Sequence, residues 1–201
     1  MKNPTKHLFF AAFCSLLFCT SCYKQALTEN LSTPVVADGF VQYTIPKGAH
    51  YAHGNDYKPV DLTELRFIVR FDSSCVYQTT NPDNQGDINK LYGFADNGAM
   101  HQQFSARFGW RWSNGSLRLF AYTYNDSVRD SKELGAVSIG KEIHCSIKLT
   151  KGAYLFSAGE TSVSMPRLST TTTAKGYQLY PYFGGDETAP HEVRIWIKEE
   201  K

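Results

Sequence analysis

The chain has 201 residues, and its 21 lysines and arginines against 19 acidic residues give a formal net charge of +2 at pH 7. The basic residues are scattered, which argues against nucleic acid as a partner and against a polybasic membrane-binding patch. The length suits one domain with a sizeable core.

The first 21 residues have the pattern of a secretory signal peptide. Lys2 and Lys6 precede an apolar run over residues 8–18, and this run is shorter than the roughly 20 apolar residues that a membrane-spanning helix needs. These lysines are two of the 21 basic residues, and no acid leaves with them. The mature chain therefore keeps 19 basic and 19 acidic side chains and is formally neutral.

The end of this leader, Cys19-Thr20-Ser21-Cys22, resembles the lipobox of bacterial lipoproteins, although Cys19 stands where that motif usually has Leu. The resemblance implies that Cys22 becomes the lipidated first residue of the mature protein. The cell envelope, and there the outer membrane, is then the expected location, with the lipid as the membrane contact. An ordinary signal peptide cleaved elsewhere is the alternative. Residues 22–38 are polar and lack periodicity, so we expect a tether before a domain over residues 39–201.

From Gly39 onward, short runs of alternating apolar and polar residues are typical of β-strands. No segment has a sustained helical period, so the pattern predicts an all-β sandwich or barrel. The predicted strands cover residues 41–45, 65–71, 91–95, 104–112, 117–124, 143–149, 154–157, 161–165, 177–183 and 193–198.

The clearest local unit is a β-hairpin around Asn114-Gly115. Asn-Gly between two alternating runs is typical of a type I′ turn, in which both central residues have positive φ. A two-residue turn places one set of side chains in the core and the other set on the opposite face. The predicted core pairs are Trp112 with Leu117, Trp110 with Leu119, and Phe108 with Ala121.

Besides Cys22, two cysteines remain after the leader, Cys75 and Cys145. An exported protein can form disulfides, so these two either bridge or stay as buried free thiols.

Two segments resemble laminin-G-like domains of the concanavalin A-like superfamily. The first is Ile143–Leu149 followed by Tyr154-Leu155-Phe156, and the second is the closing stretch Pro190–Ile197, in which His191 stands where Asp is usual. The resemblance implies a two-sheet antiparallel jelly-roll sandwich with one concave face. It implies no activity, since this fold carries lectins, glycosidases, lyases and adhesion modules.

The face of the hairpin opposite the core is the predicted ligand-binding surface. Apolar faces of sugars stack on aromatic rings, and Arg binds hydroxyls and carboxylates in bidentate fashion. If Arg66 and Arg70 share this face, an acidic glycan is favoured. The alternative is an ordinary outer face on which arginine stems cover the rings. The predicted ligand-binding residues are Arg107, Arg111, Arg118, Phe120, Tyr122 and Tyr124.

Catalytic alternatives rest on weaker patterns. A His beside a Tyr can serve as base and acid in a lyase, and Thr63–Arg66 and Tyr182–Gly185 faintly resemble two motifs of jelly-roll alginate lyases. The Gln-x-His motif of those enzymes is missing. The Glu-x-Asp-x-x-Glu run of jelly-roll glucanases is missing too, which disfavours retaining glycoside hydrolysis.

We expect no cofactor. Gly184-Gly185-Asp186-Glu187 could offer oxygen ligands to Ca²⁺, and a plain turn before the final strand is the alternative.

Three functions remain open at this point. The leading one is a non-catalytic, envelope-anchored lipoprotein that binds a polysaccharide or oligosaccharide, similar to those of Bacteroidota glycan-utilisation systems. The second is a polysaccharide lyase for uronate-containing glycans. The third is a structural or protein-interaction module.

Overall fold

The structure is a computed structural model that describes residues 36–201. The predicted signal peptide, Cys22 and residues 22–35 of the predicted tether lie outside the described residues. Within the described part the chain forms thirteen strands and two short 3₁₀ helices, Ser73–Cys75 and Pro82–Gly86, with no α-helix. No helix in this part is long and apolar enough to cross a membrane. The predicted all-β, two-sheet antiparallel jelly-roll sandwich is confirmed.

The strands form two antiparallel sheets. The seven-stranded sheet has the order β1-β2-β13-β4-β9-β10-β11, and the six-stranded sheet has the order β3-β12-β5-β6-β7-β8. The bounds are β1 Val36–Ala37, β2 Phe40–Ile45, β3 Pro59–Leu62, β4 Glu64–Phe71, β5 Asn89–Ala95, β6 Phe104–Ser113, β7 Ser116–Asn125, β8 Val128–Val137, β9 Glu142–Thr150, β10 Ala153–Ala158, β11 Thr161–Pro166, β12 Ala174–Leu179 and β13 Val193–Glu200.

Aromatic side chains from both sheets meet in the core. Phe108 of β6 contacts Phe67 of β4 and Phe156 of β10, with ring centroids 5.5 and 5.3 Å apart and edge-to-face geometry. Trp110 is fully buried and lies 5.8 Å from the ring of Phe71. The predicted core face of the hairpin is therefore confirmed, and the opposite face of β6 and β7 is the outer face of the six-stranded sheet.

The hairpin also has the predicted register. Trp112 pairs with Leu117 and Trp110 with Leu119. Asn114 and Gly115 have φ values of 52° and 68°, as a type I′ turn requires.

Three strands were not predicted. β3 is a four-residue edge strand that begins with Pro59, and its two partly buried residues are too few to give a periodic signal. β8 is an edge strand whose residues are mostly exposed, so it carries no apolar alternation to detect. β1 pairs with β2 across Asp38 and Gly39, which both have positive φ. The predicted tether boundary at residue 38 therefore lies inside a hairpin. The Asp38-Gly39 pair is a known sequence signal for such a turn and would have predicted this hairpin.

Cys75 and Cys145 are free and buried, so of the two alternatives the structure shows the buried thiols and not the disulfide. Burial raises the pKa of both thiols above its ordinary value.

Candidate functional site

A groove with a cavity of about 450 Å³ lies on the outer face of the six-stranded sheet. Strands β5, β6, β7, β8 and β12 contribute to it, together with the loops before β3 and β6 and after β12. Its lining residues are Tyr51, Asn55, Lys90, His101, Gln102, Arg107, Tyr122, Tyr124, Arg129, Tyr177, Gln178, Leu179, Tyr180, Pro181, Tyr182 and Gly185.

A glycine in β5 makes room for the arginine at the centre of the groove. Gly93 pairs with Arg107 across the β5–β6 ladder. A Cβ atom at Gly93 would lie 2.4 Å from the Cβ of Arg107 and 2.2 Å from the carbonyl oxygen of Ala106. Glycine is therefore required for β5 to approach β6 this closely.

Arg107 is a buried cation without a full set of partners. The residue is 8% exposed, and its Nε has no hydrogen-bond partner among the described residues. Its guanidinium carbon lies 5.3 Å from the centroid of the Tyr122 ring. Burial lowers the pKa of Arg107, because desolvation disfavours the charged form. An unsatisfied charged donor at this depth is costly, and an anion in the groove would satisfy it.

Lys90 is the second cation. Its Nζ donates a hydrogen bond to the carbonyl of Ile88 at 2.5 Å and lies 4.8 Å from the Tyr122 ring centroid. Burial and then the charges of Arg107 and Arg129 lower the pKa of Lys90 to about 8. The three cations thus repel one another across the groove.

No carboxylate in the groove lining balances these charges. The residues that line the groove include neither Asp nor Glu. None of the ion pairs in the described part of the chain involves Lys90, Arg107 or Arg129. The groove is therefore positively charged and suited to an anionic ligand.

Tyrosines form the walls of the groove. Tyr51 is 67% exposed and packs edge-to-face on Tyr182 at 4.9 Å. Tyr122 packs edge-to-face on Tyr124 at 5.9 Å. Burial, followed by the contact with Tyr124, raises the pKa of Tyr122 to about 12, so its phenol is neutral at physiological pH. The exposed ring of Tyr51 offers a surface on which a sugar can stack, beside cations with which its charge can pair, whereas Tyr122 is buried.

One acid–base pair faces the groove. His101 Nδ1 lies 2.9 Å from the phenol oxygen of Tyr177, and the backbone N–H of His101 donates to the same oxygen at 3.2 Å. That oxygen already accepts one bond, so the phenol proton is available for an unprotonated Nδ1. Burial and then the charge of Arg107 lower the pKa of His101, which favours the neutral imidazole.

The predicted ligand-binding residues divide into two groups. Arg107, Tyr122 and Tyr124 line the groove. The other three lie on the same face but nearer the hairpin turn, outside the groove lining. They are Arg111, Arg118 and Phe120.

These three residues are engaged with the protein itself. The Arg111 guanidinium covers the Phe120 ring at 4.7 Å and donates to the carbonyl of Gly86 at 2.6 Å. Arg118 pairs with Glu133 at 2.6 Å. This end of the face matches the alternative in which arginine stems cover aromatic rings.

The sequence favoured an acidic glycan on the condition that Arg66 and Arg70 share the predicted binding face, and this condition is not met. Both lie on β4, in the seven-stranded sheet, so they do not share the face of the groove. Arg66 pairs with Glu64 at 3.1 Å. The two lyase-like segments therefore do not converge, because Tyr182 lines the groove and Arg66 lies on the other sheet.

Of the five histidines in the described part, only His101 lines the groove. His191 Nε2, for example, lies 2.8 Å from the carbonyl of Ser74. Sequence reasoning missed Lys90 and Arg129, because the first precedes the predicted start of its strand and the second lies in the undetected β8.

The segment considered for calcium closes a loop. Glu187 accepts hydrogen bonds from the backbone N–H groups of Thr80 and Asn81 at 2.7 and 2.8 Å, and from the side chain of Asn84 at 2.9 Å. Among the described residues, no group of three or more His, Cys, Asp or Glu side chains is placed to hold a metal ion.

No protein-family model matches the sequence, and no curated protein matches it. Solved structures are similar in fold. The alginate lyase AlyC3 is 12% identical, with a TM-score of 0.54 over 80% of this chain and 74% of that one. An alginate lyase from Chlorella virus is 11% identical, with a TM-score of 0.51 over 83% of this chain and 86% of that one. A family 7 alginate lyase in complex with product is 8% identical, with a TM-score of 0.50 over 82% and 81%. At these identities the likeness shows the jelly-roll fold alone.

Proposed function

We propose that the protein binds an anionic polysaccharide or oligosaccharide in the groove and is held in the cell envelope by a lipid on Cys22. The observation that carries the binding proposal is Arg107, buried with an unpartnered Nε in a groove that has three cations and no carboxylate. A guanidinium fork suits the carboxylate of a uronic acid, and the tyrosine walls suit the apolar faces of its ring. Binding of this kind requires no cofactor.

The similar solved structures support the same ligand class. All three are alginate lyases by name. Alginate is an acidic glycan, which agrees with the charge of the groove.

A retention screen tests the proposal. Purified protein is passed over immobilised alginate, polygalacturonate and hyaluronan, and over neutral laminarin and xylan. We expect retention on at least one acidic glycan and none on the neutral ones. Equal retention on neutral and acidic glycans would contradict anionic recognition, and retention on none of them would favour a structural or protein-interaction module.

A lyase that acts on uronate-containing glycans is the second candidate function, and the His101–Tyr177 contact is the observation that favours it. In this mechanism one of the two groups removes the proton next to the uronate carboxylate and the other protonates the leaving oxygen. Lysis would appear as ultraviolet absorbance of the unsaturated product in the same screen. If product forms, Tyr177→Phe should abolish it while retention remains. Retention without product supports binding alone.

The anchor has a separate test. Cys22→Ala should leave the protein unprocessed or release it from the membrane fraction. If the variant still carried acyl chains and stayed with the membrane, lipidation at Cys22 would be wrong.

A further inference from the structure

The groove continues into a second, smaller cavity. This cavity has a volume of about 150 Å³ and is lined by Gly86, Asp87, Ile88, Lys90, Tyr122, Arg129, Ser131 and Gly185. Four residues line both cavities: Lys90, Tyr122, Arg129 and Gly185. The two spaces are therefore neighbours along one path, and two of the three groove cations stand at the junction.

The positive charge of this path has two centres. Arg107 lines only the main cavity, and Lys90 and Arg129 line both. The ring of Tyr122 is in contact with both centres, because the Arg107 guanidinium lies 5.3 Å and the Lys90 ammonium 4.8 Å from its centroid. A single carboxylate bound to Arg107 would leave Lys90 and Arg129 without an ion-pair partner among the described residues.

The smaller cavity also contains an acidic residue. Asp87 lies in its lining, whereas the main cavity has no acidic residue. The charge of Asp87 raises the pKa of Lys90 and so offsets part of the positive charge, but one carboxylate beside two cations leaves this part of the path with a net positive charge.

We propose that Lys90 and Arg129 form a second anionic subsite next to that of Arg107, so that the ligand carries acidic groups on adjacent sugars. This inference rests on the proposed function and narrows it. A run of consecutive uronates would satisfy both centres. A glycan in which neutral sugars separate the acidic ones would satisfy only one of them at a time.

The test is a calorimetric titration with mannuronate and galacturonate as monosaccharides and as tetrasaccharides, and with a hyaluronan tetrasaccharide, in which acidic and neutral sugars alternate. A charge-assisted contact at the second subsite should make the uronate tetrasaccharide bind at least roughly tenfold more tightly than its monosaccharide. The hyaluronan tetrasaccharide should lack this gain.

Two variants test which residues give the tetrasaccharide its higher affinity. Arg129→Gln and Lys90→Met should remove most of the advantage of the tetrasaccharide over the monosaccharide. Arg194→Gln is the matched control, since Arg194 pairs with Asp72 at 3.0 Å on the seven-stranded sheet. Thermal melting of each variant checks that it is folded.

The possible failures are distinct. If wild-type protein binds the uronates without dependence on length, or if Arg129→Gln weakens both lengths equally, the second subsite is wrong and the proposed function stands. If no uronate of any length binds, the proposed function and this inference fail together.

Discussion

The outer faces of the two sheets carry the same kinds of residue in different electrostatic settings. On the seven-stranded sheet, Arg70 stacks on Phe40 at 4.9 Å and pairs with Glu142 at 3.8 Å, and Arg194 pairs with Asp72 at 3.0 Å. On the six-stranded sheet, Arg107 stacks on Tyr122 without a carboxylate partner among the described residues. Arginine beside an aromatic ring is thus common to both faces, and the missing acid distinguishes the groove.

The energetics explain why this difference matters. Exposed ion pairs such as those on the seven-stranded sheet contribute about 0–1 kcal/mol and are consistent with an ordinary surface. A buried cation without a partner costs free energy that the fold must supply elsewhere. Such a group is expected where a ligand completes it, and Arg107 meets that description.

The largest expected effect concerns the core beneath the groove. Trp110→Ala should lower the free energy of unfolding by about 3–5 kcal/mol, as truncation of a core aromatic does. Trp196→Ala is the matched control, because Trp196 is only partly buried and covers Arg70 on the other outer face. Chemical denaturation measures both. A loss at Trp110 no larger than that at Trp196 would contradict the assignment of the two sides of β6.

Arg107→Gln should have the next largest effect, and on binding rather than folding. Loss of a charge-assisted hydrogen bond of about 1.5–3 kcal/mol predicts a roughly tenfold to hundredfold weaker affinity for the acidic glycan. The free energy of unfolding should be unchanged or higher, because an uncompensated buried charge is removed.

Arg194→Gln sharpens the comparison between the two faces. It should leave glycan affinity unchanged and lower the free energy of unfolding by at most about 1 kcal/mol, as for an exposed ion pair. Calorimetric titration measures the glycan affinity of Arg107→Gln and of Arg194→Gln, and chemical denaturation measures the free energy of unfolding of each. Equal losses of affinity in the two variants would show that general positive charge, and not the groove, attracts the glycan.

The sequence predicts what is decided locally. The hairpin register follows from Asn114-Gly115 and from alternation along β6 and β7, so the core position of Trp110 and the outer position of Arg107 were both predictable. Local pattern also placed Arg111 and Arg118 on the outer face, and it had no means to show that they pair within the protein.

The groove itself depends on information that no local pattern holds. Lys90 and Arg129 join Arg107 only because β5 and β8 flank the β6–β7 hairpin in the sheet. β8 is exposed at the edge and gives no periodic signal. His101 and Tyr177 are 76 positions apart and meet only because β12 lies beside β5. Strand order is a property of the whole chain, and it determines which residues meet in the site.

The smallest expected effect is the contribution of Lys90 to the dependence on pH, which should have opposite signs for binding and for folding. The pKa of Lys90 is lowered to about 8, mainly by burial and then by the facing charges of Arg107 and Arg129, which Asp87 partly offsets. As pH rises through about 8, Lys90 loses its charge, and affinity for an acidic glycan should fall several-fold. The ordinary pKa of the lysine is 10.5, so between about pH 8 and 10.5 the unfolded chain binds more protons than the folded one. Lys90 by itself should therefore make the ligand-free protein more stable as pH rises over this interval, whereas the buried thiols of Cys75 and Cys145, whose pKa values are raised, contribute in the opposite direction. The phenol of Tyr122, with a pKa of about 12, stays neutral in the folded protein and does not change the charge of the groove.

Lys90→Met removes the titrating group, so its affinity should be nearly independent of pH in this range, and the stability of the wild type relative to this variant should increase with pH. Titrations and thermal melts at about pH 7, 8 and 9.5 measure both quantities. Parallel pH profiles for wild type and Lys90→Met would show that Lys90 does not titrate against the ligand, and the groove would then depend on its arginines alone.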